Sequence, residues 1–238
     1  PMALERLDSH ACADRLQMHL HQQRYDFVLE RLGPGESVLE IGTGVGSFTE
    51  TLFPRCGSYV GVEFDVTACA EARKRTSGKA EILQADARHL PLPDESFSFI
   101  ICLEVLEHLG DWRAGVRHIH RCLKNDGTAI ISVPYRLSGG KSKTNEFHPY
   151  EPGEGELVEF LQDHFSEVSV TYQFFAESLF MTAARALRIR RFVGLAGIYA
   201  ALANGETSAL AQLGVNQQAK GLKIGLLITA RNKRTLRA

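Results

Sequence analysis

The sequence predicts an α/β fold in which a doubly wound parallel sheet is covered by helices on both faces. Three observations predict it. Short apolar runs alternate with helical stretches over most of the first 176 residues. The run Phe97 to Leu103 is nearly continuous in apolar residues, as a strand buried on both faces should be. With 238 residues, 44% hydrophobic and 23% charged, the composition is that of a soluble globular domain. It excludes a disordered, collagen-like or disulfide-stapled chain.

Residues from about 13 to 32 read as a helix, with Tyr25, Val28, Leu29 and Leu32 on one face. Gly33-Pro34-Gly35 ends it. Val38 to Ile41 is a first strand that stops at a glycine cluster, and a helical stretch follows from Ser47 to Phe53. Tyr59 to Val62 is a second strand, Val66 to Arg75 an Ala-rich helix, and Ile82-Leu83 a third strand. Phe97 to Leu103 is the fourth. Asp111 is placed to cap a helix whose apolar stripe is Trp112, Val116, Ile119 and Leu123. Asn125-Asp126-Gly127 reads as a turn before a fifth strand, Ala129 to Val133. Leu157, Phe160 and Leu161 mark another helix, and Val168 to Tyr172 and Ile224 to Thr229 the last two strands. Between those two lie about 50 residues rich in Ala, Leu and Arg, helical in pattern from Leu179 to Ala203 except where Gly194 and Gly197 interrupt.

The formal charge of -1 hides a division. From Glu177 onward there are 10 basic and 2 acidic residues; the preceding 176 carry 17 basic and 26 acidic. A near-neutral whole argues against a general nucleic-acid binder. No apolar run reaches the roughly 18–20 residues of a membrane span. The first twenty residues, with Glu5, Asp8 and Asp14, lack the order of a signal peptide. The five cysteines contain no C-x-x-C pair, which predicts reduced, buried thiols in a cytoplasmic protein and no structural zinc.

Chemistry concentrates after the first three strands. Glu40-Ile41-Gly42-Thr43-Gly44-Val45-Gly46 ends a strand and opens a helix, so its backbone N–H groups can approach a ligand closely. Glu63 ends the second strand, where a carboxylate can accept from a ribose diol, and Asp86 follows the third, where one can accept from an adenine amine. A dinucleotide site fits poorly, because the spacing is G-x-G-x-G and Ser47 stands where that motif requires another residue pattern.

Val38 to Gly46 resembles motif I of the class I S-adenosylmethionine-dependent methyltransferases. Gln84-Ala85-Asp86-Ala87 with Leu90 to Phe97, and Leu103-Glu104-Val105-Leu106-Glu107-His108, are similar to that family's adenine loop and the segment after its fourth strand. The likeness is dense from about Ser37 to Tyr135, and Asn145-Glu146-Phe147-His148 also resembles a stretch in methyltransferases of glycan and natural-product pathways. It implies a Rossmann-like sheet of seven strands, mostly parallel with a late antiparallel strand and a helical insertion before the last strand. It also implies S-adenosyl-L-methionine as cofactor. Glu40 would orient the methionine amino group, and Gly42, Thr43, Gly44 and Gly46 would line the passage of the chain past the cofactor. Glu63 and Phe64 would hold the ribose end, Asp86 and Ala87 the adenine, and Leu103 and Tyr25 would complete the site. Ser98 stands where the family often has Asp.

The expected division is a helical lid over 1–35, a cofactor-binding core over 36–176, a basic insertion over 177–221 that covers the acceptor or contacts a second copy, and a last strand and tail over 222–238. The expected acceptor is a small molecule and not a nucleic acid, with no transmembrane segment expected; Arg185, Arg188, Arg190 and Arg191 could embrace a phosphate on an anionic acceptor or touch an anionic membrane surface. A hydroxyl acceptor needs a base. The candidates are His148, in Asn145-Glu146-Phe147-His148, and His108, each of which also reads as a structural histidine. Arg24 could meet the methionine carboxylate. O-methylation of a sugar or natural product is the leading reading. N- or carboxyl methylation, or a cofactor-binding partner subunit without activity, stay open.

Overall fold

Val38 and Leu39 are neighbours in the chain and both fully buried, yet they belong to different apolar cores. A strand sends alternate side chains to opposite faces, so both faces of this sheet are covered. The computed structural model describes residues 15–142, 145–175 and 222–233. The expected basic insertion, residues 1–14 of the lid and the last five residues lie outside the described residues.

In order come α1 (Arg15–Leu29), β1 (Ser37–Ile41), α2 (Thr49–Leu52), β2 (Ser58–Glu63), α3 (Val66–Arg75), β3 (Glu81–Gln84) and β4 (Phe97–Leu103). Then follow α4 (Trp112–Cys122), β5 (Leu123–Pro134), α5 (Glu154–His164), β6 (Phe165–Phe175) and β7 (Leu222–Lys233). The seven strands form one sheet in the order β3-β2-β1-β4-β5-β7-β6. β7 runs antiparallel between β5 and β6, and β1 to β5 pair in parallel. The expected α/β class and late antiparallel strand are what the structure contains.

One core joins Leu39, Ile100 and Ile131 to Trp112, Val116 and Ile119 of α4 and Leu157 and Leu161 of α5. The other joins Val38, Phe99 and Ile130 to Tyr25 and Val28 of α1 and Cys69 and Ala72 of α3. Asp111 caps α4 by accepting from the Ala114 N–H at 3.1 Å, and Asp65 caps α3 by accepting from Ala68 at 2.9 Å. Ser98 has a structural use: its hydroxyl accepts from the Ser37 N–H at 2.9 Å, tying the starts of β1 and β4 together.

Two local expectations differ. The first helix stops at Leu29, short of Leu32. Asn125-Asp126-Gly127 lies within the span of β5, not before it, because the ladder with β4 jumps from Phe97–Leu123 to Phe99–Thr128. Gly127 permits that bulge: a Cβ there would stand 2.7 Å from the Leu123 side chain and 3.0 Å from the Ser98 carbonyl. Neither difference touches the crevice where β1 and β4 part, the place an open α/β sheet offers a ligand.

Candidate active site

A cleft of about 400 Å³ lies at the carboxyl ends of β1 to β4, lined at one end by Phe64 and Asp86 and at the other by His108 and Phe147. The turn after β1 forms its floor. Gly42, Gly44 and Gly46 all have positive φ, the region that favours glycine. At Gly46 a Cβ would come within 2.9 Å of the Ala72 Cα, so the turn is wedged against α3. At Gly44 a Cβ would meet nothing within 4 Å; that space belongs to the cleft.

Glu40 is 1% exposed, and three side chains explain how a carboxyl is tolerated there. Tyr25 of α1 donates to Oε1 at 2.5 Å; Thr49 of α2 donates to Oε2 at 3.2 Å, and so does the Tyr59 phenol of β2. Gly61 sits opposite Glu40 in the ladder, and a Cβ on it would stand 3.1 Å from the Tyr59 hydroxyl. The missing side chain is what lets Tyr59 reach Glu40. Burial raises the Glu40 carboxyl above its usual range although these hydrogen bonds pull it down. Burial and the same carboxylate push both phenols well up.

At the end of β2, Glu63 accepts from the Gly44 N–H at 3.0 Å and from the Asp65 N–H at 2.9 Å, which fixes its carboxylate across the glycine turn. Phe64 beside it is 57% exposed, an apolar platform on the cleft wall. Asp86 is clamped by Arg88, whose guanidinium donates to both oxygens at 2.6–3.1 Å. That pairing holds the Asp86 carboxyl below its usual range. Ala87, Leu103 and Thr43 are buried, and Thr43 and Leu103 line the cleft.

Two buried polar atoms on α1 and the glycine turn have no hydrogen-bond partner: Arg24 Nε and Thr43 Oγ1. Arg24 is 5% exposed, and one of its terminal nitrogens pairs with Glu104 at 3.0 Å. An orphaned donor in such a place calls for an acceptor from a ligand. Thr43 lines the cleft, so a polar ligand group there could meet its hydroxyl, whereas Arg24 and Glu40 stand outside the cleft wall. The residues present fit the cofactor that the motifs imply.

The far end is built differently. Glu104, directly after β4, holds φ +55 without being glycine, a conformation that persists only where its surroundings enforce it. Its N–H donates to the Ser132 carbonyl and hydroxyl, both at 3.1 Å, and the Ser132 hydroxyl donates back to its carboxylate at 2.8 Å. Glu107 is 1% exposed with Oε2 unpartnered; burial and the nearby Glu104 push its carboxyl well above the usual range. His108 is exposed on the cleft wall, with Nδ1 3.2 Å from the Phe147 carbonyl. His148 stands behind it, edge to face at 4.6 Å between centroids, and is not part of the wall.

The Asn145 amide settles the His148 tautomer. Its Oδ1 accepts from the Phe147 N–H at 2.9 Å, so its Nδ2 donates to His148 Nε2 at 3.0 Å. His148 Nδ1–H therefore donates to Glu151, at 2.7 Å. Burial alone would raise Glu151, but bonds from His148 and Ser142 and the nearby Arg136 hold it low.

The structure thus brings Tyr25, Gly42, Thr43, Gly44, Glu63, Phe64, Asp86, Ala87, Leu103 and His108 to one cleft, while Gly46, His148 and Glu40, which is buried and bonded to Tyr25, are not in its wall. Sequence reading overlooked Tyr59 and Thr49, Arg88 and Glu151, and gave Glu104 and Glu107, which it placed beside His108, no role of their own. Only Gly61, opposite a strand-end glutamate, offered a signal for Tyr59. Among the described residues Cys56, Cys69, Cys102 and Cys122 are free thiols, and no helix is long and apolar enough to cross a membrane.

Residues 39–131 match the family described as "Methyltransferase domain". The chain is 33% identical over 147 residues to the "Probable S-adenosylmethionine-dependent methyltransferase Rv3030" of Mycobacterium tuberculosis, covering 59% of this chain and 53% of that protein. It is 28% identical over 177 residues to the ubiquinone/menaquinone biosynthesis C-methyltransferase UbiE of Stenotrophomonas maltophilia, covering 70% and 68%. The chain thus spans about half the length of the mycobacterial relative. In fold it is similar to the Bacillus subtilis YcgJ protein, with TM-score 0.58 at 17% identity over 90% of this chain and all of the other. It is also similar to Haemonchus contortus phosphoethanolamine N-methyltransferase 2 in complex with S-adenosyl-L-methionine, with TM-score 0.62 at 19% identity over 90% and 53%.

Proposed function

We propose that this chain, which belongs to the class I S-adenosylmethionine-dependent methyltransferases, moves a methyl group to a hydroxyl of a small molecule such as a sugar or natural product. The observation that carries the choice of a hydroxyl is the pair of imidazoles at the acceptor end, each with Nδ1 beside an oxygen acceptor. Thiols and neutral amines need little activation, whereas a hydroxyl must lose a proton.

In this reading S-adenosylmethionine supplies an electrophilic methyl on a sulfonium. Glu63 holds the ribose, Phe64 offers its ring to the adenine, Asp86 and Ala87 bind the adenine edge, and Glu40, Thr43 and Arg24 hold the methionine head. Tyr25 and Tyr59 keep Glu40 in place by hydrogen bonds and do not touch the reacting atoms. Leu103 and Val105 exclude water around the methyl, and His108, backed by His148, activates the acceptor. The free thiols suit a reducing, cytoplasmic setting, and the arginines of 177–221 suit an anionic acceptor.

The test is turnover with S-adenosylmethionine and a panel of alcohols, amines and carboxylic acids, read by mass spectrometry. O-methyl products that disappear in His108→Ala support the reading. Products on nitrogen or carbon, as the names of the similar proteins describe for theirs, would replace it. Tight S-adenosylhomocysteine binding without any product would instead favour a partner subunit.

A further inference from the structure

Glu107, His108 and His148 each offer one ligand atom, and these atoms lie within 4.8 Å of one another. Glu107 and His108 come from the turn after β4, Leu106–His108, while His148 arrives from the loop between β5 and α5. Glu107 Oε2 is buried without a hydrogen-bond partner, a costly state unless something else meets that oxygen.

The imidazoles are set in a matching way. His148 Nδ1–H is held by Glu151, and His108 Nδ1 lies against the Phe147 carbonyl, so each ring turns an unprotonated Nε2 to other partners. Carboxylates and carbonyls on the far nitrogen are how metal-binding histidines are commonly oriented. We propose that Glu107, His108 and His148 hold a divalent transition-metal ion, with zinc the best match to two nitrogens and one carboxylate oxygen. The proposal deepens the hydroxyl-methylating reading and rests on it for its purpose. The ion would border the cleft through His108 and lower the pKa of an acceptor hydroxyl bound to it. The proton leaves to solvent water as the oxygen takes the methyl from the sulfonium; His108 then serves as a ligand in place of a base.

Ligand atoms around a tetrahedral ion stand about 3.4 Å apart, given metal bonds of roughly 2.0–2.1 Å. The cluster therefore closes by side-chain shifts of about an ångström, and the Asn145 amide leaves His148 Nε2 to make room. A cation also answers the excess of acid here, where Arg24 is paired with Glu104 and no hydrogen bond reaches Glu107 Oε2.

The test uses Co²⁺ as probe, because its visible absorption reports nitrogen and oxygen ligation. The full chain, stripped with a chelator, is titrated with Co²⁺ and then with Zn²⁺. One equivalent should develop the visible bands and zinc should abolish them. His108→Ala and His148→Ala should each weaken Co²⁺ binding at least about tenfold, and Glu107→Gln likewise, while His89→Ala should not. Circular dichroism confirms that each variant is folded. Wild-type protein that shows no bands overturns the site, as do bands surviving in both histidine variants. Calorimetry with S-adenosylhomocysteine on the same samples tests the methyltransferase reading separately: cofactor binding without bands removes the metal site alone.

Discussion

The two ends of the cleft solve the same problem, charged groups in a half-buried place, in opposite ways. At the cofactor end every carboxylate is met: Glu40 by two phenols and a threonine, Glu63 by two backbone N–H groups, Asp86 by a bidentate arginine. At the acceptor end Glu104 is held in a strained backbone conformation and Glu107 keeps an oxygen with no partner. A finished network is rigid and prepares one ligand. An unfinished one stores cost that a second ligand can relieve. The difference predicts that substitutions at the first end will remove cofactor binding, and those at the second will spare it.

The largest effect should come from Gly46→Val. Its φ of +79 disfavours a side chain, and a Cβ would stand 2.9 Å from the Ala72 Cα. Strain of about 1–2 kcal/mol and overpacking of about 1–3 kcal/mol should cost stability visibly in a urea melt and abolish cofactor binding. Next comes Glu63→Ala, which removes a carboxylate fixed by the Gly44 and Asp65 N–H groups. Two charge-assisted bonds to a ribose should be worth roughly 100-fold in S-adenosylhomocysteine affinity by calorimetry. A loss of only twofold would mean that the ribose lies elsewhere, and the contrast between the ends would fail.

The same contrast explains what could be read from the sequence. Glu40, the glycine turn, Glu63 and Asp86 were legible because each lies at the end of its own strand, where parallel order alone gathers them. The strand alternation and the Asp111 cap were legible for the same local reason. Tyr59 and Arg88 were not: each acts by reaching across to another residue's carboxylate, and only Gly61 hinted at the space. The acceptor end draws on residues 104 to 108, 132 and 145 to 151, and no periodicity links those stretches. Glu104 in particular looks like an ordinary loop acid until its φ and its three bonds to Ser132 are seen.

Glu104→Gln sharpens the comparison from the acceptor side. The amide keeps a hydrogen-bonding oxygen for Ser132 but withdraws the charge that pairs with Arg24. Cofactor affinity should stay within about twofold, while turnover should fall about tenfold, a step of about 1.4 kcal/mol. Equal losses in both would show that Arg24 and Glu104 serve the cofactor as one unit.

The smallest effect concerns how α1 is fastened at the cofactor end. His21 lines the cleft and stacks on Phe48, which stacks in turn on Tyr25. Burial, and secondarily Arg24, lower the His21 pKa from 6.5 to about 3. The folded value is below the unfolded one, so the ring is neutral in the fold and its stability is complete above pH 6.5. Below that, the unfolded chain takes up the proton first, and stability falls as pH drops towards the folded value. Between about pH 7.5 and pH 5.5 this should cost on the order of 1 kcal/mol. His21→Phe keeps the stack on Phe48 and removes the proton-binding group, so urea melts at the two pH values should lose that difference. A slope unchanged in the variant would move the acid sensitivity to another group.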